Sequence, residues 1–434
     1  MASIKLVVPS WHYWRDPLRL QPLWELYYAT ILREVFINHD ISLIDLREPE
    51  ARAIGFVPEK ADIYIYWINK SADAFEIYDA VEDLRKRYPK SFHIAGGTHV
   101  DHLPRQCSEY FDVILKGTAE DTMVQAVSDI LAKRSIRKYY LSRRQCHFNG
   151  YPIISRDFIP DDRVVNRKHF EKYGGVLGTG AYFSRGCGFN CRFCVYNSPS
   201  AFEYRTGKQI TAEIDYLKTR YGVEAINLRD EVCIPVNRRA AIEYLEAIGD
   251  GQIIWRGQSV PLGSEELVKL AAESGLCELA LGLESLDSDK VIRISNKPSK
   301  SILANRKYID LVKKYGIKVK VCLIFGLPGE SRNVLKRTIE LLEKIEPDYV
   351  AVSGFAPVPG SAFYNEPEKY GIKRIYKDLN KHAHLLFRFD NDEEVGLPFE
   401  YESKAPWGYG MSRREIICNI KQLQEWLRER NMTY

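Results

Sequence analysis

Three cysteines, Cys187, Cys191 and Cys194, occupy the eight-residue run Cys-Gly-Phe-Asn-Cys-Arg-Phe-Cys. A closed tetrahedral zinc site takes four protein ligands, so three thiols leave it incomplete. They also stand too close together to be read as a disulfide framework. Three thiolates around a cubane iron–sulfur cluster leave one iron without a protein ligand, open to a substrate or cofactor. On this run alone, zinc, a disulfide and chance spacing stay open. So does a passive electron-transfer or structural site completed by Cys233, Cys277 or Cys322.

Other residues with chemical potential stand where inferred strands end. Asp230-Glu231 follows Ala225–Leu228, and Arg256 with Gln258 follows Ile253–Trp255. A negative pair such as Asp230-Glu231 could hold an ammonium group or orient a substrate, or complement a helix dipole. Leu281-Gly282-Leu283-Glu284-Ser285 places one carboxylate after an inferred strand, and Ile324-Phe325-Gly326-Leu327-Pro328-Gly329-Glu330 places two glycines after another. Near the N-terminus, Ser10-Trp11-His12-Tyr13-Trp14-Arg15 and Ala95-Gly96-Gly97-Thr98-His99 are candidate loops, with His102 beyond. His382, His384, Arg388 and Asp390 either line a barrel floor or belong to a solvated helix face.

These residues need elements to position them. The first 133 residues alternate strand and helix signals: strands at Ile4–Pro9, Ile41–Leu46, Ala61–Ile68, Ser91–Ala95 and Phe111–Lys116, helices at Leu23–Phe36, Ala72–Arg87 and Asp121–Lys133. Such alternation predicts a parallel, doubly wound α/β sheet with its ligand crevice at the C-terminal strand ends. Residues 134–178 read as a linker or strap. A second series begins near Gly180 and predicts six βα units, a partial or full barrel over 179–365 whose active site lies at the strand C-termini. Residues 366–434 read as helical and charged.

Composition narrows the class. The 434 residues are 45% apolar and 28% charged, an ordinary globular balance. A net charge of +4 gives no nucleic-acid footprint, and no apolar run reaches membrane-spanning length. Nine cysteines, six of them scattered singly, and an N-terminus that enters a strand directly are expected of a cytoplasmic protein. Neither the aromatic content nor anything else identifies the substrate.

The cysteine loop, with Phe193 before the last cysteine, resembles that of the radical S-adenosylmethionine (radical SAM) enzymes. The Gly282-Leu283-Glu284 and Gly326–Glu330 segments are similar to that family's Gly-x-Glu and Gly-Leu-Pro-Gly-Glu elements. Lys297-Pro298, Pro357-Val358-Pro359-Gly360-Ser361, and Arg205 with Glu213 resemble further elements of it. The resemblance covers roughly residues 180–365. It implies a [4Fe–4S] cluster on Cys187, Cys191 and Cys194, with the amino and carboxylate groups of SAM on the fourth iron. Glu284, Gly326 and Gly329 would then contact SAM, and Asp230, Glu231 and Arg256 would serve catalysis. It also implies reductive cleavage of SAM to a 5′-deoxyadenosyl radical, a reducing protein of the flavodoxin or ferredoxin type, and a small-molecule or peptide substrate.

The Rossmann-like first domain resembles the cobalamin-binding domain that precedes the barrel in one radical SAM subgroup. The match rests on domain order and on Gly96-Gly97-Thr98-His99 with Phe111–Glu120, where Thr98 replaces a proline and Thr118-Ala119-Glu120 stretches a Gly-Glu pair. The Asp-x-His-x-x-Gly cobalt-ligand motif is not intact, and only His12 keeps its place. The resemblance therefore implies cobalamin-dependent C-methylation as the leading expectation, and a cobalamin-free radical reaction as the alternative.

Overall fold

The structure, a computed structural model, describes every residue except 15, 53–57, 143–146, 197–201, 300, 383–396 and 434, and residues 52 and 381 without their side chains. Arg15, His384, Arg388 and Asp390 thus lie outside the described residues. The chain forms two compact units, Met1–Gly180 and Ala181–Tyr434.

In the first unit, strands β1 (Ser3–Val8), β2 (Asp40–Asp45), β3 (Ile63–Trp67), β4 (Phe92–Gly96), β5 (Val113–Lys116) and β6 (Tyr139–Leu141) form one sheet in the order β2-β1-β3-β4-β5-β6. All five neighbouring pairs are parallel. Ile63–Trp67 is buried throughout, as a strand covered on both faces requires. The helices are α1 (Leu23–Val35), α2 (Ala74–Arg87), the short α3 (Thr98–His102) and α4 (Pro104–Tyr110), then α5 (Glu120–Leu131) and α6 (Asp161–Val164). The strand order reverses between β1 and β3, and the loops leaving those strands flank the switch point where ligands of doubly wound sheets sit.

Two expectations for this unit change. The helices at 98–110 were not anticipated, because their seven- and five-residue lengths carry too little periodicity to read. Residues 134–178, expected as a linker or strap, contribute the edge strand β6 and pack against α1, with Phe148 edge-on to Tyr27 at 5.6 Å. Phe148, Ile154 and Phe170 are buried there. Arg156 is fully buried, donating to Gln21 Oε1 (2.8 Å) and to the Ile154 carbonyl (2.6 Å).

The second sheet runs β14-β13-β12-β11-β10-β7. Its strands are β7 (Gly178–Ala181), β10 (Ala225–Leu228), β11 (Ile254–Ser259), β12 (Leu276–Glu284), β13 (Lys318–Phe325) and β14 (Tyr349–Gly354), with a two-stranded hairpin of β8 (Ser184–Arg185) and β9 (Glu203–Tyr204) between the first two. Helices α7 (Gly207–Tyr221), α8 (Arg238–Asp250), α9 (Glu265–Glu273), α10 (Asp289–Ile294), α11 (Ile302–Lys314) and α12 (Val334–Ile345) alternate with them. Neighbours in chain order are neighbours in the sheet, the connectivity of a six-stranded β/α barrel. Side-chain caps start several helices: Thr206 and Gln209 form a capping box on α7, and Asn237, Ser264 and Ser301 cap α8, α9 and α11.

The C-terminal stretch is less helical than expected. After α13 (Ala362–Asn365), β15 (Ile372–Ile375) pairs antiparallel with β16 (Phe399–Tyr401), and β17 (Lys404–Ala405) with β18 (Gly408–Tyr409). Only then does α14 (Arg413–Glu429) follow, burying Ile416, Ile420, Leu423 and Leu427 along one face. Strands of two to four residues leave little alternation in the sequence. Among the described residues, no helix is long and apolar enough to cross a membrane.

Candidate functional site

The cysteine loop leaves the second sheet just after β7 and is bracketed by the β8–β9 hairpin. Ser184 pairs with Tyr204 and Arg185 with Glu203, and the latter pair adds a buried ion pair of 2.7 Å. Sequence reading missed this stem; oppositely charged residues on either side of the loop were its only trace. Within the loop, the Cys194 N–H donates to the Cys191 carbonyl (3.0 Å). Cys191 is buried, and Cys187 and Cys194 are half-buried. Burial pushes the Cys191 thiol up to about 11 and Cys194 up to about 12, and in both the neighbouring thiols add to the effect. The three sulfurs therefore share one neighbourhood, although among the described residues no three His, Cys, Asp or Glu side chains stand close enough to hold a metal ion. A donor set of thiols alone, with a buried lysine beside it, fits an iron–sulfur cluster in its chemistry; loading would draw the sulfurs together.

Asp230 and Glu231, expected as a pair, do different things. Asp230 is fully buried and accepts from the Phe183 N–H (3.0 Å), Ser184 Oγ (2.6 Å) and Tyr244 Oη (2.6 Å). Burial outweighs these bonds and pushes its carboxyl up to about 6. These three bonds tie the end of β10 to the base of the cysteine loop. Glu231 is half-buried, accepts from the Gly186 N–H (3.2 Å), and is pushed up to about 7, chiefly by burial. It stands next to Cys187.

Arg256 is likewise held by its neighbours in the sheet. It occupies the third position of β11, in register with Asn227 and Glu278, and Ser259 ends the strand three residues later. Its Nε donates to Asn227 Oδ1 (3.2 Å) and its Nη1 lies 3.9 Å from Glu278 Oε1. The guanidinium is built into the sheet, short of the strand end where chemistry is expected.

Glu284 ends β12 with φ +65°, a left-handed conformation rare outside glycine and held here by its surroundings. Its Oε1 accepts from Lys297 Nζ at 2.9 Å, both side chains being almost fully buried. Gly326, with φ +94°, opens the turn after β13; its N–H donates to Glu330 Oε2 (2.7 Å), while Ser285 Oγ donates to Glu330 Oε1 (2.8 Å). Glu330 thus joins the ends of β12 and β13, and burial pushes its carboxyl up to about 8. Gly329 also has a positive φ, and Phe193 is buried. The cysteine loop, Glu231, Glu284 and the Gly326–Gly329 turn all follow C-terminal strand ends of one sheet.

In the first unit, the glycines serve packing. A Cβ on Gly97 would lie 2.6 Å from the Ile68 carbonyl oxygen, and one on Gly96 would meet the Trp67 ring at 2.4 Å. At both positions close contact with the chain itself leaves no room for a side chain. Thr98 opens the five-residue α3. His99 is buried between Tyr78 Oη (2.8 Å) and Ser71 Oγ (2.9 Å), and burial lowers it to about 4. His12 is exposed and meets Tyr13 edge-on at 5.2 Å. His382 lies buried between the Pro357 and Tyr376 carbonyls. Two buried acids at the switch point went unnoticed in the sequence. Burial pushes Glu25 up to about 8 and Asp73 up to about 7.

Comparison with known proteins agrees with this geometry. Residues 181–342 match the radical SAM superfamily model, so the second unit carries a radical SAM domain. An uncharacterized methyltransferase of Pyrococcus horikoshii is 26% identical over 372 residues, covering 79% of this chain and 77% of the relative. The anaerobic magnesium-protoporphyrin IX monomethyl ester cyclase of Cereibacter sphaeroides is 27% identical over 320 residues, 67% of this chain but only 51% of the relative. Among solved structures, the radical SAM methyltransferase TsrM of Kitasatospora setae, with tryptophan and a SAM analogue bound, superposes with a TM-score of 0.67 at 14% identity, covering 94% of this chain and 86% of that one. A second structure of TsrM holds cobalamin and a [4Fe–4S] cluster. At that identity the likeness is one of fold.

Proposed function

We propose that this chain, an enzyme with a radical SAM domain, is a cobalamin-dependent C-methyltransferase. The reading is carried by the cysteine loop standing at the same strand ends as Glu284 and the Gly326–Gly329 turn. Cys187, Cys191 and Cys194 would hold the [4Fe–4S] cluster and leave one iron for SAM. A cluster held there would supply the electron for reductive cleavage of SAM, and cobalamin held by the first unit would supply the methyl group. Glu231 and Glu284 offer carboxylates toward the polar groups of SAM, and the Gly326 turn offers bare backbone to its adenine. Asp230, Ser184 and Tyr244 keep the base of the loop fixed, and Phe193 shields it from water. The reductant is a protein of the flavodoxin or ferredoxin type, and the substrate a small molecule or peptide.

A second reading drops cobalamin and keeps the radical. It is favoured by the glycines packed onto Trp67 and Ile68 and by the exposed His12. Anaerobic reconstitution with iron and sulfide, then incubation with SAM, dithionite and stoichiometric hydroxocobalamin, separates the readings. The methyltransferase is expected to retain cobalamin and form 5′-deoxyadenosine. A protein that cleaves SAM but stays free of cobalamin belongs to the second reading. Formation of neither 5′-deoxyadenosine nor S-adenosylhomocysteine would leave only a passive metal site.

A further inference from the structure

The segment that ends α10 is docked on the cysteine loop. Asn296 Nδ2 donates to the Asn190 carbonyl (2.6 Å), the Arg192 N–H to the Ser295 carbonyl (3.0 Å), and the Arg192 guanidinium to the Ile294 carbonyl (2.8 Å). Asn296 turns the chain through a left-handed conformation (φ +52°), and the Lys297 N–H closes the helix on the Ile292 carbonyl (3.1 Å). The consequence is the position of one side chain. Lys297 runs inward, 6% exposed, with its Nζ 2.9 Å from Glu284 Oε1 and 5.7 Å from the ring centre of Phe193, the neighbour of Cys194. Even the bare Gly282 belongs to this arrangement, since a Cβ there would lie 3.4 Å from Nζ and 2.6 Å from Glu284 Oε1.

We propose that Lys297 is a charge-compensating positioning residue for the iron–sulfur cluster, an ammonium built in beside the cysteine loop to favour cluster loading and the reduced state. The inference rests on the function proposed above. Three thiolates in a poorly solvated loop repel one another, and a single cation nearby offsets that repulsion. Adding one electron from an external donor makes the cluster more negative without forming or breaking a bond, so the same cation stabilises the reduced form. Glu284, paired with the ammonium at 2.9 Å, moderates the effect. Sign and partner are therefore both specified.

The test is an EPR-monitored redox titration of the full-length protein, reconstituted anaerobically, without SAM and with dithionite as reductant, alongside iron and sulfide analysis. Lys297→Met is expected to shift the midpoint potential to a more negative value or to load less iron. Lys297→Arg should stay near wild type, and Glu284→Gln should shift the midpoint the opposite way. The double variant E284Q/K297M, which leaves neither charge buried alone, should return toward wild type and shows whether a defect in K297M is one of folding. A K297M protein with full iron and the wild-type midpoint overturns the proposal. So do shifts of the same sign in K297M and E284Q, or a K297R protein no better than K297M. Wild-type protein that takes up no iron at all would instead defeat the functional reading.

Discussion

At the scale of single residues, burial decides which acids work and which merely hold. Glu25 shows the energetic side most simply. It sits in α1 with 4% exposure, and burial pushes it up to about 8 against the pull of Arg47. In the unfolded chain the same carboxyl ionises near ~4.3. Between those values the native state holds the extra proton, so stability from this group is full below about pH 4 and is lost as pH rises through about 8. Glu25→Gln removes the dependence. Urea unfolding at pH 5 and pH 8 should show wild type losing about 3–4 kcal/mol more than the variant between the two. Equal losses would mean that Glu25 ionises freely in the native state. The carboxylates could be read from the sequence; their burial could not, because it is imposed by side chains dozens of residues away.

At the scale of elements, the site depends on ties between successive strand ends. Glu330 receives both the Ser285 hydroxyl and the Gly326 N–H, and Asp287 receives the Ser331 N–H (3.1 Å) and Oγ (2.7 Å). Glu330→Ala leaves two buried donors unpaired and should destabilise the second unit by about 2–3 kcal/mol in urea unfolding, with Glu330→Gln costing less. A variant as stable as wild type would show that the turn holds itself. Strands β10 and β13 and most helices follow the hydrophobic period closely, β13 residue for residue. Most misses are short, among them α3, α4, α10, β6, the β8–β9 stem and the C-terminal hairpins, where two to seven residues carry too little periodicity.

At the scale of the molecule, two units each bury their own core. A cluster bound only by the native second unit stabilises that unit by mass action and leaves the first alone. Calorimetry of iron-loaded and chelator-stripped protein should therefore show one transition moving upward on loading and another standing still. A common shift of both would mean that the units unfold together. The sequence by itself determined the order of elements, the two α/β sheets, and the residue types at the strand ends, because these depend on local period and spacing. It placed three cysteines in one loop and a carboxylate at the end of a later strand. Only the tertiary structure decided that Asp230 is a strut, that Arg256 belongs to the sheet, that Gly97 makes room for Ile68, and that Lys297 lies against Glu284 beside the thiols. Each of those outcomes is a contact between residues far apart in the chain, where packing and burial, rather than residue type, assign the role.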